Sequence, residues 1–278
     1  MKKILIPSDF SPVSDNALEY ALEFNKKVNA KILLFHSFFI PISATEIPIV
    51  IPTDLELKTE AIGLLNKLKA KYLKKYPQNH FSVEVHEGVP EFEIVDAAKK
   101  FKCDLIIMGT HGASGMRKFL IGSNTVSVID KSVLPVIAVP EKAKINGLKK
   151  IVFASNYGSD DFKNVFEIID IARLFESEIT LLHINENNMD RTMAFAELEG
   201  FCKQLKEESQ YSKISFKLLE DLDVYNGLNN YLEEVKADIL AISMRNRSWV
   251  QKIFNSSITK KMIYHTHIPL IAFHTAID

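Results

Sequence analysis

Between Met108 and Thr125 the chain reads M-G-T-H-G-A-S-G-M-R-K-F-L-I-G-S-N-T. Glycines at 109, 112, 115 and 122 follow the apolar run Leu105-Ile106-Ile107, and the small polar residues Ser123, Asn124 and Thr125 then open an amphipathic stretch. Residues of these types suit an anion. Glycine lets the backbone turn with positive φ and lets a ligand approach its N–H groups closely. The helix that follows offers unpaired N–H groups and the positive end of its dipole, so a phosphate is the natural occupant. Two familiar phosphate loops do not fit. No G-x-x-x-x-G-K-[ST] occurs, and a dinucleotide fingerprint would follow the first strand, where the chain reads Pro7-Ser8-Asp9 after Ile4-Leu5-Ile6. Asp9, a carboxyl at a strand end, could serve a ribose, a metal or a water.

Other residues compete for attention. His36 and His183 stand at equivalent strand ends with no carboxylate or cysteine ligand nearby, which favours a structural role over a metal site. His111 lies inside the glycine loop and could touch a phosphate or face solvent, and Arg117 and Lys118 could screen phosphate charge. Lys67, Lys69, Lys71, Lys74 and Lys75 read as the solvated face of a long helix. Met244 to Trp249, with Arg245, Arg247 and the chain's one Trp, reads either as a partner contact or as the remnant of a lost loop. No residue is assigned a catalytic or metal-binding role.

The elements that position these residues come in two sets. Lys3-Ile4-Leu5-Ile6-Pro7-Ser8-Asp9 recurs as Lys150-Ile151-Val152-Phe153-Ala154-Ser155-Asn156, an offset of 147, and Ala30 to His36 recurs at that offset as Ser177 to His183. Further on, Cys103 to Ile107 matches Ala237 to Ala241, and Leu134 to Ala138 matches Ile268 to Ala272, both at an offset of 134. A period this long means duplicated globular units rather than a solenoid. Strands are predicted near 3–7, 31–37, 81–86, 104–108 and 135–139, with helices near 12–29, 54–76, 91–101 and 123–133. Strands near 150–154, 178–184, 214–219, 238–242 and 269–273 repeat the pattern. Such alternation predicts a parallel sheet with helices on both faces. The residues that shift the offset are assigned to an irregular loop over Phe38 to Thr53, and the polar stretch Glu141 to Leu148 is read as the linker between units 1–142 and 149–278. The last strands of the two units are expected to pair, since an apolar edge left in water invites aggregation.

The two units differ where chemistry would occur. The counterparts of Gly109, Gly112 and Gly122 are Ser243, Asn246 and Ser256, and that of Asp9 is Asn156. A Cβ at those positions hinders both positive φ and close approach, which points to one ligand site per chain, in the first unit.

The spacing G-x-x-G-x9-G-[ST] from Gly109 to Ser123 resembles the nucleotide-binding signature of the universal stress protein family. This resemblance covers Met1 to about Pro140. It implies an α/β fold of two tandem repeats, each a five-stranded parallel, Rossmann-like sheet of the adenine nucleotide alpha hydrolase kind. It further implies that Gly109, Gly112, Gly122 and Ser123 hold phosphates, that Asn124 and Thr125 add donors, and that Met108 belongs to the nucleotide site. Pro7, Ser8 and Asp9 would then lie near the ribose or a phosphate-bound metal, and the backbone at Ser37 would face adenine. The implied ligand is ATP, with Mg2+ as an accompanying ion, and the implied role is a regulatory one in stress response. Two other readings stand beside it: a slow Mg-dependent ATPase, and a nucleotide-free interaction module for another small ligand. An intramolecular pseudo-dimer, with further homo-oligomerisation open, is the expected assembly.

Composition bounds these readings. The chain has 278 residues, 47% of them hydrophobic, enough for two units with their own cores. With 34 basic and 35 acidic residues, the balance favours neither nucleic acid nor an anionic membrane. Two scattered cysteines make no disulfide framework, and no apolar run reaches bilayer length, so a cytoplasmic setting is expected.

Overall fold

The computed structural model describes residues 1–39, 53–110, 122–145, 147–155, 159–185, 191–221, 223–244 and 268–274. The first half runs β1 (Lys3–Pro7), α1 (Pro12–Val28), β2 (Lys31–Phe38), α2 (Asp54–Lys75), β3 (Phe81–Glu87), α3 (Pro90–Lys100), β4 (Leu105–Gly109), α4 (Ser123–Lys131) and β5 (Val136–Val139). The second runs β6 (Lys150–Ala154), α5 (Ser159–Phe175), β7 (Glu178–Asn185), α6 (Arg191–Ser209), β8 (Ile214–Glu220), α7 (Val224–Val235), β9 (Ile239–Met244) and β10 (Leu270–His274). Residues 245–267, where a fourth helix of the second half would fall, lie outside the described residues, as does Asn156.

Alternation along each strand sets the faces of the sheet, because successive side chains point to opposite sides. Ile4, Ile6, Ile32, Leu34, Leu105 and Ile107 pack with α1 and α2 residues such as Leu18, Leu22 and Leu65. Their neighbours Leu5, Leu33, Phe35, Ile106 and Met108 pack on the other face with Ile94 and Ala97 of α3 and Val128 of α4. Both faces being covered, these strands read as continuous apolar runs, as parallel strands do. Burying each such side chain contributes about 1.5–3 kcal/mol.

The strand order is β3-β2-β1-β4-β5-β10-β9-β6-β7-β8 in a single ten-stranded sheet. Within each half the pairs are parallel, whereas β5 and β10 run antiparallel, with Ile137 opposite Ile271. The two last strands thus occupy each other's edge. Above the junction Phe24 of α1 stacks on Phe175 of α5, ring centroids 5.3 Å apart.

The Glu141 to Leu148 stretch is anchored on the folded body: Ala143 and Leu148 are buried, and Asn16 of α1 donates to the Pro140 and Ala143 carbonyls at 2.9 and 3.1 Å. Its polar composition hides apolar positions that join the core. The lysines of α2 mostly lie on its exposed face, as expected, and some reach neighbouring elements. Lys71 pairs with Asp15 at 2.8 Å, Lys75 pairs with Glu19, and Lys69 donates to the Phe81 carbonyl at 3.1 Å. The two exposed pairs join α2 to α1 and are screened by solvent. The longer first half is explained by fifteen residues between β2 and α2 (39–53) against five between β7 and α6 (186–190). Residues 40–52, the expected irregular loop, lie outside the described residues.

Candidate functional site

In an open α/β sheet a crevice forms at the carboxyl ends of the strands where the order reverses, here between β1 and β4. A cleft occupies that place and encloses about 710 Å3, its open mouth included. Pro7, Ser8 and Asp9 come to it from the end of β1, Ser37 from β2, Met108 and Gly109 from β4, and Gly122, Ser123, Asn124 and Thr125 from the start of α4. Ten of the eleven residues singled out in the sequence therefore line one cavity. The eleventh, Gly112, lies with His111, Arg117 and Lys118 outside the described residues.

Helices that follow parallel strands bring their N-termini to this end of the sheet, and the first-half helices are finished differently. Ser11 caps α1 by accepting from the Ser14 N–H at 3.2 Å. Thr53 and Glu56 close α2 with a reciprocal capping box. α3 lacks a side-chain cap but carries Glu91 and Glu93 in its first turn. α4 alone of the four has neither a side-chain cap nor an acidic residue in its first turn. Its leading N–H groups and the positive end of its dipole suit an anion in the cleft.

The glycines act differently from the expectation of positive φ. Gly122 is the N-cap of α4 with φ −65° and ψ 155°, extended backbone open to any residue. Gly109 is not in the left-handed region; a Cβ there would lie 2.9 Å from Val13 Cγ1 and 3.1 Å from the Val13 carbonyl oxygen. Its bare backbone lets the end of β4 meet α1, so close packing within the protein, and not a left-handed turn, demands the glycine. Thr125 is also corrected in part: it is buried, and its hydroxyl donates to the Gly109 carbonyl at 2.8 Å. That proton is spent inside the protein, leaving Thr125 its backbone N–H to offer.

The β1–α1 turn is densely bonded. The Ser8 N–H donates to the Phe35 carbonyl at 2.8 Å, the Phe10 N–H to Ser8 Oγ at 3.1 Å, and the Ser11 N–H to Asp9 Oδ1 at 3.1 Å. His36 Nδ1 lies 2.7 Å from the Ser8 carbonyl, and His183 Nδ1 lies 2.8 Å from that of Ser155. A carbonyl only accepts, so Nδ1 carries the proton in both rings. Both histidines thus tie the end of their second strand to the first-strand turn.

Sequence reasoning missed five wall residues: Ser14 of α1, Phe35 and His36 of β2, and Pro90 and Ile94 of α3, with His36 read there as structural alone. Phe35 sits in an apolar strand run and Ile94 on an apolar helix stripe, so both read as plain core. Their apolar surface suits a flat ring, a common division of labour with a polar end in ligand clefts. The cysteines stand apart from the cleft. Burial pushes the Cys103 thiol up to about 11 and raises that of Cys202, so neither is a nucleophile at neutral pH.

At the matching positions of the second half, described side chains bond to one another. Asp161 takes the position of Ser14 and accepts from the Ser155 hydroxyl at 2.8 Å. Ser243 takes the position of Gly109, and its hydroxyl bonds to the Asn164 amide. All four side chains are buried.

Comparison with known proteins agrees with this architecture. Residues 1–140 match the model of the Universal stress protein family. Universal stress protein MJ0531 of Methanocaldococcus jannaschii is 33% identical over 147 residues, 51% of this chain and 84% of its own length. Universal stress protein MJ0577 of the same organism is 30% identical over 156 residues, 51% of this chain and 96% of its own. Over nearly the whole chain the fold is similar to the crystal structure of a universal stress protein from Archaeoglobus fulgidus, with TM-score 0.77, 18% identity and 98% of each chain covered. A putative universal stress protein from Pseudomonas aeruginosa gives TM-score 0.66 at 12% identity, covering 99% of this chain and 93% of that one. With half its length matching the family model and two such halves joined in one sheet, the chain belongs to the universal stress protein family.

Proposed function

We propose that the first-half cleft binds ATP, with Mg2+ carried on its phosphates, and that occupancy makes the protein a regulatory switch in stress response. The observation that carries this reading is the start of α4, free of side-chain caps and of acid, facing a cleft that also holds Asp9 and an apolar wall. On this reading the Ser123 and Asn124 N–H groups meet phosphate oxygens, Asp9 accepts from a ribose hydroxyl or holds Mg2+, and adenine lies against Phe35, Ile94 and the backbone at Ser37. Magnesium keeps most of its waters and binds through one or two carboxylates plus phosphates, which a single Asp9 satisfies. Residues 1–142 form the binding unit and 149–278 its partner in an intramolecular pseudo-dimer. The setting is the cytoplasm.

Hydrolysis, on this reading, is slow. Asp9 is the one carboxyl group among the described residues lining the cleft, and a cradle with few groups acting only on the transition state gives occupancy without rate.

Gly122→Val tests the reading. The backbone there accepts valine, so the fold should persist with about 1 kcal/mol lost at the helix cap, while the branched side chain fills the space before the α4 N–H groups. Calorimetry should show ATP binding in the wild type and none in the variant. Equal affinity in both would show that the α4 N-terminus does not hold the ligand.

A further inference from the structure

Phe10 has φ 62°, the left-handed region that an aromatic L-residue rarely adopts. Most other non-glycine residues with positive φ, namely Asn29, Lys102, Glu176, Gln210 and Lys236, follow helices, where this conformation is an ordinary stop. Leu148 belongs to the linker. Phe10 instead precedes a helix, in the turn that carries Asp9 into the cleft. Strain of this kind persists only where the surroundings over-determine it, and it concentrates at ligand sites.

The surroundings here do so. The Phe10 ring lies 4.7 Å from the His36 ring, tilted by 37°. The Phe10 N–H is held by Ser8 Oγ, the Ser8 carbonyl by His36 Nδ1–H, and the next N–H, that of Ser11, by Asp9 Oδ1. Phe10 is 37% exposed, so it is no core anchor, and it does not line the cleft, whereas Asp9 and His36 do.

We infer that Phe10 and His36 form a clasp that holds the Asp9 turn in its ligand-binding shape, Phe10 acting as a positioning residue that sets affinity without touching the ligand. The inference rests on the reading of the cleft as an ATP site. A turn fixed in advance spares the ligand the cost of ordering it, which is how preorganisation raises affinity.

Phe10→Gly separates positioning from stability, because glycine keeps the left-handed backbone without strain while removing the ring. Calorimetry should show ATP dissociation raised about tenfold, with the thermal midpoint within about 4 °C of the wild type, the shift expected of a minor stability change at this size. His36→Leu, which loses the Ser8 bond, should weaken ATP more than His36→Asn, whose amide keeps a donor where Nδ1 stands. Wild-type affinity in Phe10→Gly, or equal loss in the two His36 variants, would overturn the clasp. Should the wild type bind no ATP, the nucleotide reading fails on its own. The clasp is then judged by exchange of the Ser11 amide, which should quicken in Phe10→Gly without global unfolding and would refute the clasp if unchanged.

Discussion

The ends of β1 and β6 carry the same device but are surrounded by different side chains. In both, a histidine from the next strand bonds the carbonyl of a serine in the turn, Ser8 or Ser155. In the first half that serine faces Ser14 across 3.2 Å, and the space beyond is a cleft. In the second half the serine donates to buried Asp161, while Ser243 and Asn164 bond to each other where Gly109 left bare backbone. Duplication thus preserved the frame and exchanged the side chains that stand on it. A carboxyl group and a hydroxyl–amide pair satisfy each other internally, and buried polar groups so satisfied have no call for an outside anion.

The comparison breaks most sharply if the second half's carboxyl group is moved into the first. Ser14→Asp places a negative charge against the cleft, and the α1 N-terminus together with Ser8 should let the fold accept it, as α5 accepts Asp161. Two unit charges about 4 Å apart repel by about 4 kcal/mol at an effective dielectric of 20. An affinity loss of at least about 100-fold for ATP is expected by calorimetry, with a near-normal denaturation midpoint. Affinity unchanged by the new charge would mean that the ligand lies elsewhere.

Stability should answer next. Gly109→Ala drives a Cβ to 2.9 Å from Val13 Cγ1 and 3.1 Å from its carbonyl oxygen, so α1 must shift. A loss of about 1–3 kcal/mol in urea denaturation is expected. The smallest effect should come from the matching position. Ser243→Ala removes one bond to Asn164 and should cost about 1 kcal/mol, leaving ATP affinity as it was. If Ser243→Ala cost more than Gly109→Ala, the two positions would not be filled in the way described.

Much of this was legible in the residues. Runs such as Ile4-Leu5-Ile6 and Leu105-Ile106-Ile107 could only be buried parallel strands, and the offsets of 147 and 134 placed their copies. The apolar ends Val136 to Val139 and Leu270 to Phe273 pointed to a pairing of the last strands, whose antiparallel direction only the structure gives. The cleft-lining residues from Pro7 to Asp9 and from Gly122 to Thr125 stand at a strand end and a helix start, which are local features. What escaped was non-local. That Gly109 serves Val13 depends on residues 96 positions away meeting in space. The docking of Ala143 depends on Asn16, the burial of Leu148 on the core it joins, and the cleft wall of Phe35, Pro90 and Ile94 on which side of the sheet α3 takes. A strand or helix pattern says that such residues are buried, but not against what.

The most direct test of the account is the stoichiometry of ATP on the intact chain. Titration calorimetry of the wild type with MgATP should give one site per chain, and the same titration of Ser14→Asp should give no residual site. Two sites in the wild type, or a full-strength site surviving in Ser14→Asp, would contradict the proposal that the first half alone holds the nucleotide.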